Sequence, residues 1–283
     1  MRNQLRSTRA TAPVGSLKQA ARYGAFSFLL GTLVLGTACH KQSPVPLPSA
    51  EFTFRSDTAA VLTLATYDTC SVFNTAPASP SVTWDLGNGT QSNARRVVLT
   101  YPTAGTYPVK LTATNEAGQT SVSSKTVRVV DRVLKNIVLN QVYWNPIPSR
   151  DPNFNVTWPT TPTADVYVQI QEWTSGTTFP SSGLVLGTPI LFASAVIPAV
   201  NYDTSTPIRI AVPPRFIFDK RKFQDRKYIL SLLARNAQGT YCLFSNVFSG
   251  SGATITAESL ASNEFNITTS FSRNSVSFNC TFE

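Results

Sequence analysis

Strict alternation of apolar and polar residues is the feature that most constrains this chain's fold. Segments with this pattern, or with a strand-like apolar composition, are 97–101, 107–113, 137–143, 166–170, 184–192, 208–212, 228–234, 241–248, 265–271 and 276–282. Successive side chains of a strand point to opposite faces, so a period of two predicts strands with one buried face. No long run has the helical period. The chain is therefore predicted to be all-β.

The length and composition fit two β-sandwich domains. A chain of 283 residues has room for two domains of ~100–200 residues each. Its hydrophobic fraction of 42% fills cores, and 19 Pro with 14 Gly suit short strands joined by turns. We expect one sandwich in residues 51–131 and a second in residues 132–283.

The N-terminus has the pattern of an export signal. Residues 1–23 are basic and contain no acid, and the apolar stretch at 24–38 is shorter than the ~20 residues that cross a bilayer. We predict a signal peptide at 1–38. Residues 35–39 (LGTAC) resemble a bacterial lipobox, which implies that Cys39 is diacylated and becomes the N-terminus. An ordinary secretory signal cut near Ala38 is the alternative.

A proline-rich tether is predicted at residues 39–50, where Pro44, Pro46 and Pro48 favour an extended spacer. The resemblance to lipoproteins implies an outer-membrane anchor in the cell envelope, facing the periplasm or the surface. Removal of the five cations before Cys39 lowers the net charge from +9 to about +4. No nucleic-acid partner is predicted, because such proteins concentrate basic residues on one face.

Two sequence blocks in the first module resemble PKD domains. Residues 84–89 (WDLGNG) are similar to the family's WDFGDG signature, with Leu86 in place of Phe and Asn88 in place of Asp. Residues 101–112 (YPTAGTYPVKLT) and 115–118 (NEAG) are similar to its second signature. The resemblance implies an Ig-like sandwich that acts as a spacer or binds proteins or glycans. Asp85 and Asn88 could be cation ligands, but bracing of a turn is the favoured interpretation.

The second module contains one short segment that resembles a C2 domain. Residues 164–170 (ADVYVQI) are similar to a C2 strand, and Bacteroidetes-type lipoproteins pair a PKD unit with a C2-like one. In that family Asp165, with an earlier aspartate such as Asp151, would be a calcium ligand. Residues 235–239 (RNAQG) lack the later aspartates, and Ca²⁺ requires six to eight oxygen ligands. No metal site is predicted.

One basic run is a candidate binding patch for an anionic glycan, lipid headgroups or an acidic partner. It comprises Lys220, Arg221, Lys222, Arg226 and Lys227. A solvated loop, or a strand edge guarded by lysines, is the favoured interpretation of the same run.

Three cysteines remain if Cys39 carries lipid. We predict a disulfide between Cys242 and Cys280, because both lie in the second module and an oxidising compartment permits it. Cys70 would then be unpaired, as a small buried hydrophobe.

The residues required for catalysis are scarce. The sole histidine, His40, lies in the tether, so serine- and cysteine-nucleophile arrangements lack a base. No CxxC and no glycine-rich phosphate loop occur. The chain is predicted to be a non-enzymatic, cofactor-free protein for protein binding, adhesion or spacing.

Two alternatives remain open. Glycan capture would use exposed stacking platforms such as Trp144, Trp158 and Trp173, although a position in the core is the favoured interpretation of these side chains. A glycoside hydrolase would need two carboxylates in a cleft, ~5–10 Å apart.

Overall fold

A computed structural model describes residues 45–55, 58–76, 81–146, 158–178, 183–247, 252–271 and 273–283, without the side chains of 213 and 214. The predicted signal peptide, Cys39, His40 and Asp151 lie outside these residues. Val45–Glu283 form one compact unit. Within the described ranges, no helix has the length and apolar character needed to cross a membrane.

The first sandwich encloses one core between two sheets. Its strands are β1 (Phe52–Phe54), β2 (Val61–Ala65), β3 (Thr69–Asn74), β4 (Ser81–Asp85), β5 (Gln91–Ser92), β6 (Arg96–Thr100), β7 (Gly105–Thr114) and β8 (Thr120–Val130). One sheet has the order β1-β3-β6 and the other the order β2-β8-β7-β4-β5. Only the β2–β8 pair is parallel among the described pairings of this sandwich.

The second sandwich has a core of its own. Its elements are β9 (Arg132–Tyr143), β10 (Thr163–Glu172), β11 (Ile190–Ala193), β12 (Ile197–Asn201), β13 (Asp203–Thr204), β14 (Ile208–Ile217), α1 (Lys220–Gln224), β15 (Tyr228–Asn236), β16 (Gly239–Ser245), β17 (Gly252–Ser259), β18 (Glu264–Phe271) and β19 (Asn274–Phe282). One sheet has the order β11-β10-β15-β16, with β12 also on β10. The other has the order β13-β9-β19-β18-β17, with β14 also on β9.

Alternation along the strands explains both cores, and the all-β prediction is confirmed. On β7, Val109, Leu111 and Ala113 are fully buried, while Lys110 between them is exposed. On β19 the apolar positions are buried and the intervening polar ones are half-buried. Burying a Val or Leu side chain in this way contributes about 1.5–3 kcal/mol.

The tryptophan of the first core is fixed by packing and by one hydrogen bond. Trp84 is fully buried, packs edge-on against Phe52 at 5.2 Å, and donates its indole N–H to the Ala94 carbonyl at 2.8 Å. The buried Tyr101 hydroxyl donates to the Leu86 carbonyl at 2.8 Å. These bonds satisfy polar groups that burial would otherwise leave unpaired.

The turn after β4 is braced by its own side chains. Asp85 accepts a hydrogen bond from the Gly87 N–H at 2.9 Å, and Asn88 accepts one from the Thr90 N–H at 3.0 Å. The turn interpretation of Asp85 and Asn88 therefore agrees with the structure.

Replacing the two glycines of this turn is expected to have unequal effects. Gly87→Ala places a Cβ 2.7 Å from the Pro108 carbonyl oxygen, whereas Gly89→Ala meets nothing within 4 Å. Both glycines have positive φ (76° and 84°), so Gly89→Ala should cost about 1 kcal/mol from backbone strain alone. Gly87→Ala should cost roughly 1–3 kcal/mol more, because the backbone must move. Urea midpoints measure the difference, and equal losses would contradict this account of the turn.

The predicted tether is partly built into the first sandwich. The Asn115 side-chain amide donates to the Pro46 carbonyl at 2.9 Å, and Ala50 is buried in the first core. Asn115 directly follows β7, which runs to this end of the sandwich from Gly105. Only residues 40–44 lie between Cys39 and the described structure.

One predicted strand is shorter than expected, and several strands were not singled out by alternation, including β1, β2, β3 and β17. The expected strand at 184–192 is confined to Ile190–Ala193, preceded by an isolated bridge between Thr178 and Leu186. Gly187, which lies between that bridge and the start of the strand, has a φ of 74°. A Cβ at this position would lie 2.7 Å from the Gly176 carbonyl oxygen. The edge strand β17, which alternation did not single out, pairs with β18 along its length.

Candidate functional site

The connection between the two sandwiches is one residue long and is held from both sides. β8 ends at Val130 and β9 begins at Arg132. Between them, Asp131 donates its N–H to the Glu283 carbonyl at 2.7 Å and accepts from the Glu283 N–H at 2.9 Å. The Thr66 N–H donates to the Val130 carbonyl at 2.8 Å. These backbone bonds replace the flexible linker that usually separates domains.

Arg132 joins side chains from both sandwiches. Its guanidinium is fully buried and donates to the Thr66 carbonyl at 3.0 Å and to Asp68 at 2.7 Å, both in the first sandwich. It also donates to Glu258 of the second sandwich at 2.9 Å. Two aromatic rings lie 5.1 and 5.5 Å from its central carbon: Phe265 and Phe282. The planar, five-donor guanidinium suits such a multiply bonded position.

The two acidic side chains that contact Arg132 have a structural role. Lys220 also donates to Glu258, at 2.6 Å. Burial raises the pKa of Glu258, but the hydrogen bonds from Lys220 and Arg132 outweigh it and hold that pKa below its usual value. A general acid for glycoside hydrolysis needs the opposite shift. Glu258 therefore stabilises the junction as a carboxylate.

The first part of the basic run, Lys220–Gln224, forms a short helix where a solvated loop or a strand edge was expected from the sequence. The three cations of this helix are paired. Asp219 caps α1 by accepting from the backbone N–H groups of Arg221 and Lys222. Lys220 pairs with Glu258, Lys222 with Glu172 at 2.6 Å, and Arg221 with Asp219 at 3.4 Å. Arg226 and Lys227 follow the helix and are exposed.

A cleft lies where the helix meets the first sandwich, and we call it the junction cleft. It has a volume of about 590 Å³. The first sandwich contributes Thr66, Tyr67, Pro102, Thr103 and Ala104; Asp131 comes from the connection; the second sandwich contributes Arg215, Ile217, Asp219, Lys222 and Tyr228. The cleft leaves no local signal in the sequence, because its two walls are up to ~150 residues apart in the chain.

The tryptophans do not form the stacking platform that glycan capture was expected to use. Trp144 is fully buried and donates to the Thr161 carbonyl at 2.9 Å. Trp158 packs half-buried against the second core and lies edge-on to Tyr143 at 5.9 Å. Trp173 is 38% exposed. Trp144 therefore belongs to the core, and the described residues hold no pair of exposed tryptophans.

Asp165 is used within the fold. It accepts from the Ala199 N–H at 3.2 Å and lies 3.7 Å from the Arg235 guanidinium. Among the described residues, no group of three or more His, Cys, Asp or Glu side chains is placed to hold a metal ion. Asp151, the other residue that the C2 resemblance suggested, lies outside them.

The disulfide expected between Cys242 and Cys280 is not formed in the structure, where both are buried free thiols, as is Cys70. Cys280 lies on β19 and packs into the second core. Cys242 lies on β16 in the opposite sheet, where it pairs with Leu233. Cys242 and Leu233 both lie outside the core cluster that contains Cys280. The two thiols therefore occupy different layers of the sandwich, and a disulfide needs Cα atoms within ~7 Å.

We expect these thiols to be unreactive until the protein unfolds. Burial raises the pKa of both Cys242 and Cys280 to about 12, and the thiolate is the reactive form. In a Cys39→Ser variant, a thiol reagent at pH 8 should label no cysteine in the native state and three in denaturant. One labelled cysteine in denaturant, rising to three after reduction, would mean that the disulfide forms after all.

Comparison with known proteins identifies the first sandwich. The family description "PKD domain" matches residues 66–128. A PKD1 domain of Vibrio anguillarum Epp is 30% identical, over 30% of this chain and 94% of that one, with a TM-score of 0.25. The PKD1 domain of the Vibrio cholerae metalloprotease PrtV is 26% identical, over 30% of this chain and 98% of that one, at the same TM-score of 0.25.

A longer likeness extends over the second sandwich. A structure described as a carbohydrate-binding module of the β-sandwich superfamily is 12% identical, over 84% of this chain and 98% of that one, with a TM-score of 0.24. At this identity and score, the likeness bears on neither the function nor the ligand of this chain.

Proposed function

We propose that this chain, which contains a PKD domain of Ig-like fold, is a non-catalytic binding or adhesion protein of the bacterial cell envelope. Lipid on Cys39 would anchor it to the outer membrane, facing the periplasm or the cell surface. In this proposal the PKD domain is a rigid spacer, and the second sandwich presents the recognition surface. The second sandwich would be a C2-like domain.

The observation that carries the proposal is that the chain enters the first sandwich at one end and leaves it for the second sandwich at the other. The chain enters the first sandwich beside Asn115, at the end of β7, where Pro46 is bound. The second sandwich joins at the other end of β7, where Gly105 pairs with Val129, next to the connection at Asp131. Ten residues of strand at about 3.3 Å each separate these ends. An anchor before residue 45 would therefore hold the second sandwich about 30 Å beyond the point where the chain enters the first sandwich.

The junction supports the same proposal. A spacer that ends in a free hinge would let the second module adopt many orientations, at an entropic cost to binding. Arg132 and the Asp131–Glu283 backbone pair oppose such a hinge. A rigid presentation of one surface is what a binding or adhesion protein requires.

Membrane fractionation tests the anchor. The wild-type protein and a Cys70→Ala control should both sediment with membranes, whereas Cys39→Ala should move to the soluble fraction, because acyl chains contribute ~0.8 kcal/mol per buried CH₂. Cys39→Ala that still sediments with membranes would contradict the lipid anchor.

Photo-crosslinking in intact cells tests which of the two sandwiches contacts the partner. A crosslinking residue at Ile217, which is 44% exposed on the second sandwich, should capture a partner. The same residue at Val122, which is 62% exposed on the first sandwich, should capture none. Capture from Val122 alone would overturn the assignment of the first sandwich as the spacer.

A further inference from the structure

The junction cleft has the size and position of a ligand site. Its volume of about 590 Å³ falls within the ~300–1,000 Å³ of small-molecule sites, which often lie where two modules meet. One wall comes from the loop that contains Thr103 and the other from α1 and the end of β14. Since the connection at Asp131 is fixed, the cleft is preformed.

The charges that line the cleft are balanced and already paired. Two carboxylates, Asp131 and Asp219, face two cations, Arg215 and Lys222. Arg215 lies 3.0 Å from Asp131, and Lys222 lies 2.6 Å from Glu172. A charged ligand would have to displace one of these partners. A neutral ligand would leave every pair in place, so the lining favours a ligand without net charge.

Paired charges also offer donors and acceptors side by side. A carboxylate and a guanidinium 3.0 Å apart, as in Asp131 and Arg215, can accept from one hydroxyl and donate to its neighbour. The nearly buried Tyr228 adds a phenol, whose pKa burial raises to about 12, so it stays protonated at neutral pH. Neighbouring hydroxyls with C–H groups between them are the chemistry of a sugar ring.

The cleft also supplies apolar surfaces for those C–H groups. Tyr67, Pro102, Ala104 and Ile217 line it, and Ile217 is 44% exposed. Pyranose rings have apolar C–H faces beside polar hydroxyl edges. A lining that combines apolar side chains with paired polar groups matches that pattern better than it matches a wholly apolar ligand.

Tyr67 is held in place at a cost in backbone strain. Its φ is 65°, a left-handed conformation that is unusual for an aromatic residue and costs about 1–2 kcal/mol. The Arg221 guanidinium lies over the Tyr67 ring, 3.2 Å from its centroid. The backbone N–H of Tyr67 donates to the Tyr101 carbonyl at 2.9 Å. Strained residues of this kind cluster at ligand sites, where the fixed side chain is preorganised for binding.

We propose that the junction cleft binds a neutral oligosaccharide, with Tyr67 and Ile217 against the sugar's C–H faces and the Asp131–Arg215 pair on its hydroxyls. This inference rests on the proposed function of a binding protein and names the ligand class of that function. It uses residues other than the three tryptophans.

A glycan array tests the proposal, with the protein from residue 39 onward in a Cys39→Ser form. The protein should bind neutral glycans. Tyr67→Asn removes the ring but keeps a residue that tolerates positive φ, and it should weaken binding at least tenfold. Tyr202→Asn, a change at an exposed tyrosine outside the cleft, should leave binding within twofold. If Tyr67→Asn fails to fold, Ile217→Ser serves as the second cleft variant, with the same tenfold loss expected.

Three results would overturn the proposal: no glycan bound on the array, binding confined to acidic glycans, or binding that the cleft variants retain. Any of them could occur while Cys39→Ala still leaves the membrane and Ile217 still crosslinks a partner in cells. The ligand class would then be wrong and the envelope-binding role would stand.

Discussion

Replacing Arg132 with alanine should lower the free energy of unfolding by about 3 kcal/mol and the melting temperature by roughly 6–12 °C. The change removes hydrogen bonds to Thr66, Asp68 and Glu258, and it opens a cavity between two aromatic rings. Asp68 and Glu258 keep Lys220 as a partner and are 29% exposed, which moderates the loss. Calorimetry measures the effect.

The control for this variant is an arginine whose ion pair is exposed. Arg235 lies 3.7 Å from Asp165 and its side chain is 53% exposed, so Arg235→Ala should cost less than about 1 kcal/mol. If Arg132→Ala were as mild as Arg235→Ala, the buried guanidinium would not be what holds the sandwiches together.

Replacing Trp84 with alanine should have an effect at least as large, about 3–5 kcal/mol, because the side chain is fully buried in the first core. The variant also leaves the Ala94 carbonyl without its donor. If the sandwiches unfold together, a single transition should move down by on the order of 10 °C.

Trp173→Ala is the matched control, since that side chain is 38% exposed, and it should cost less than about 1.5 kcal/mol. A scan of Trp84→Ala that splits into an early and an unchanged late transition would mean that the second sandwich is stable without the first. The coupling at the junction would then be weak.

Much of the fold follows from local pattern. Strands such as β7 and β19 alternate cleanly and bury one face, and each was predicted from its residues alone. The edge strand β17 was missed because its inward positions include alanines, Ala253 and Ala257, which give alternation little contrast. The expected strand at 184–192 ignored Gly187 and Pro189, which interrupt pairing.

The candidate site could not be predicted in the same way, because its contacts are long-range. Arg132 looks like an ordinary charge at the start of a strand, and its partners Asp68 and Glu258 lie 64 and 126 positions away. The basic run was recognised as a cluster, but its neutralisation by Glu172 and Glu258 depends on folding. One local signal was available: Asp219 directly before Lys220 is a favoured helix N-cap.

A distance measurement between the two sandwiches shows whether they form one rigid unit. Spin labels at Ser124→Cys on β8 and Thr254→Cys on β17, in a Cys39→Ser background, occupy exposed positions, while the native thiols are buried. Pulsed dipolar spectroscopy should give one narrow distance distribution, and Arg132→Ala should broaden it. A broad or two-peaked distribution in the protein with Arg132 intact would contradict the account.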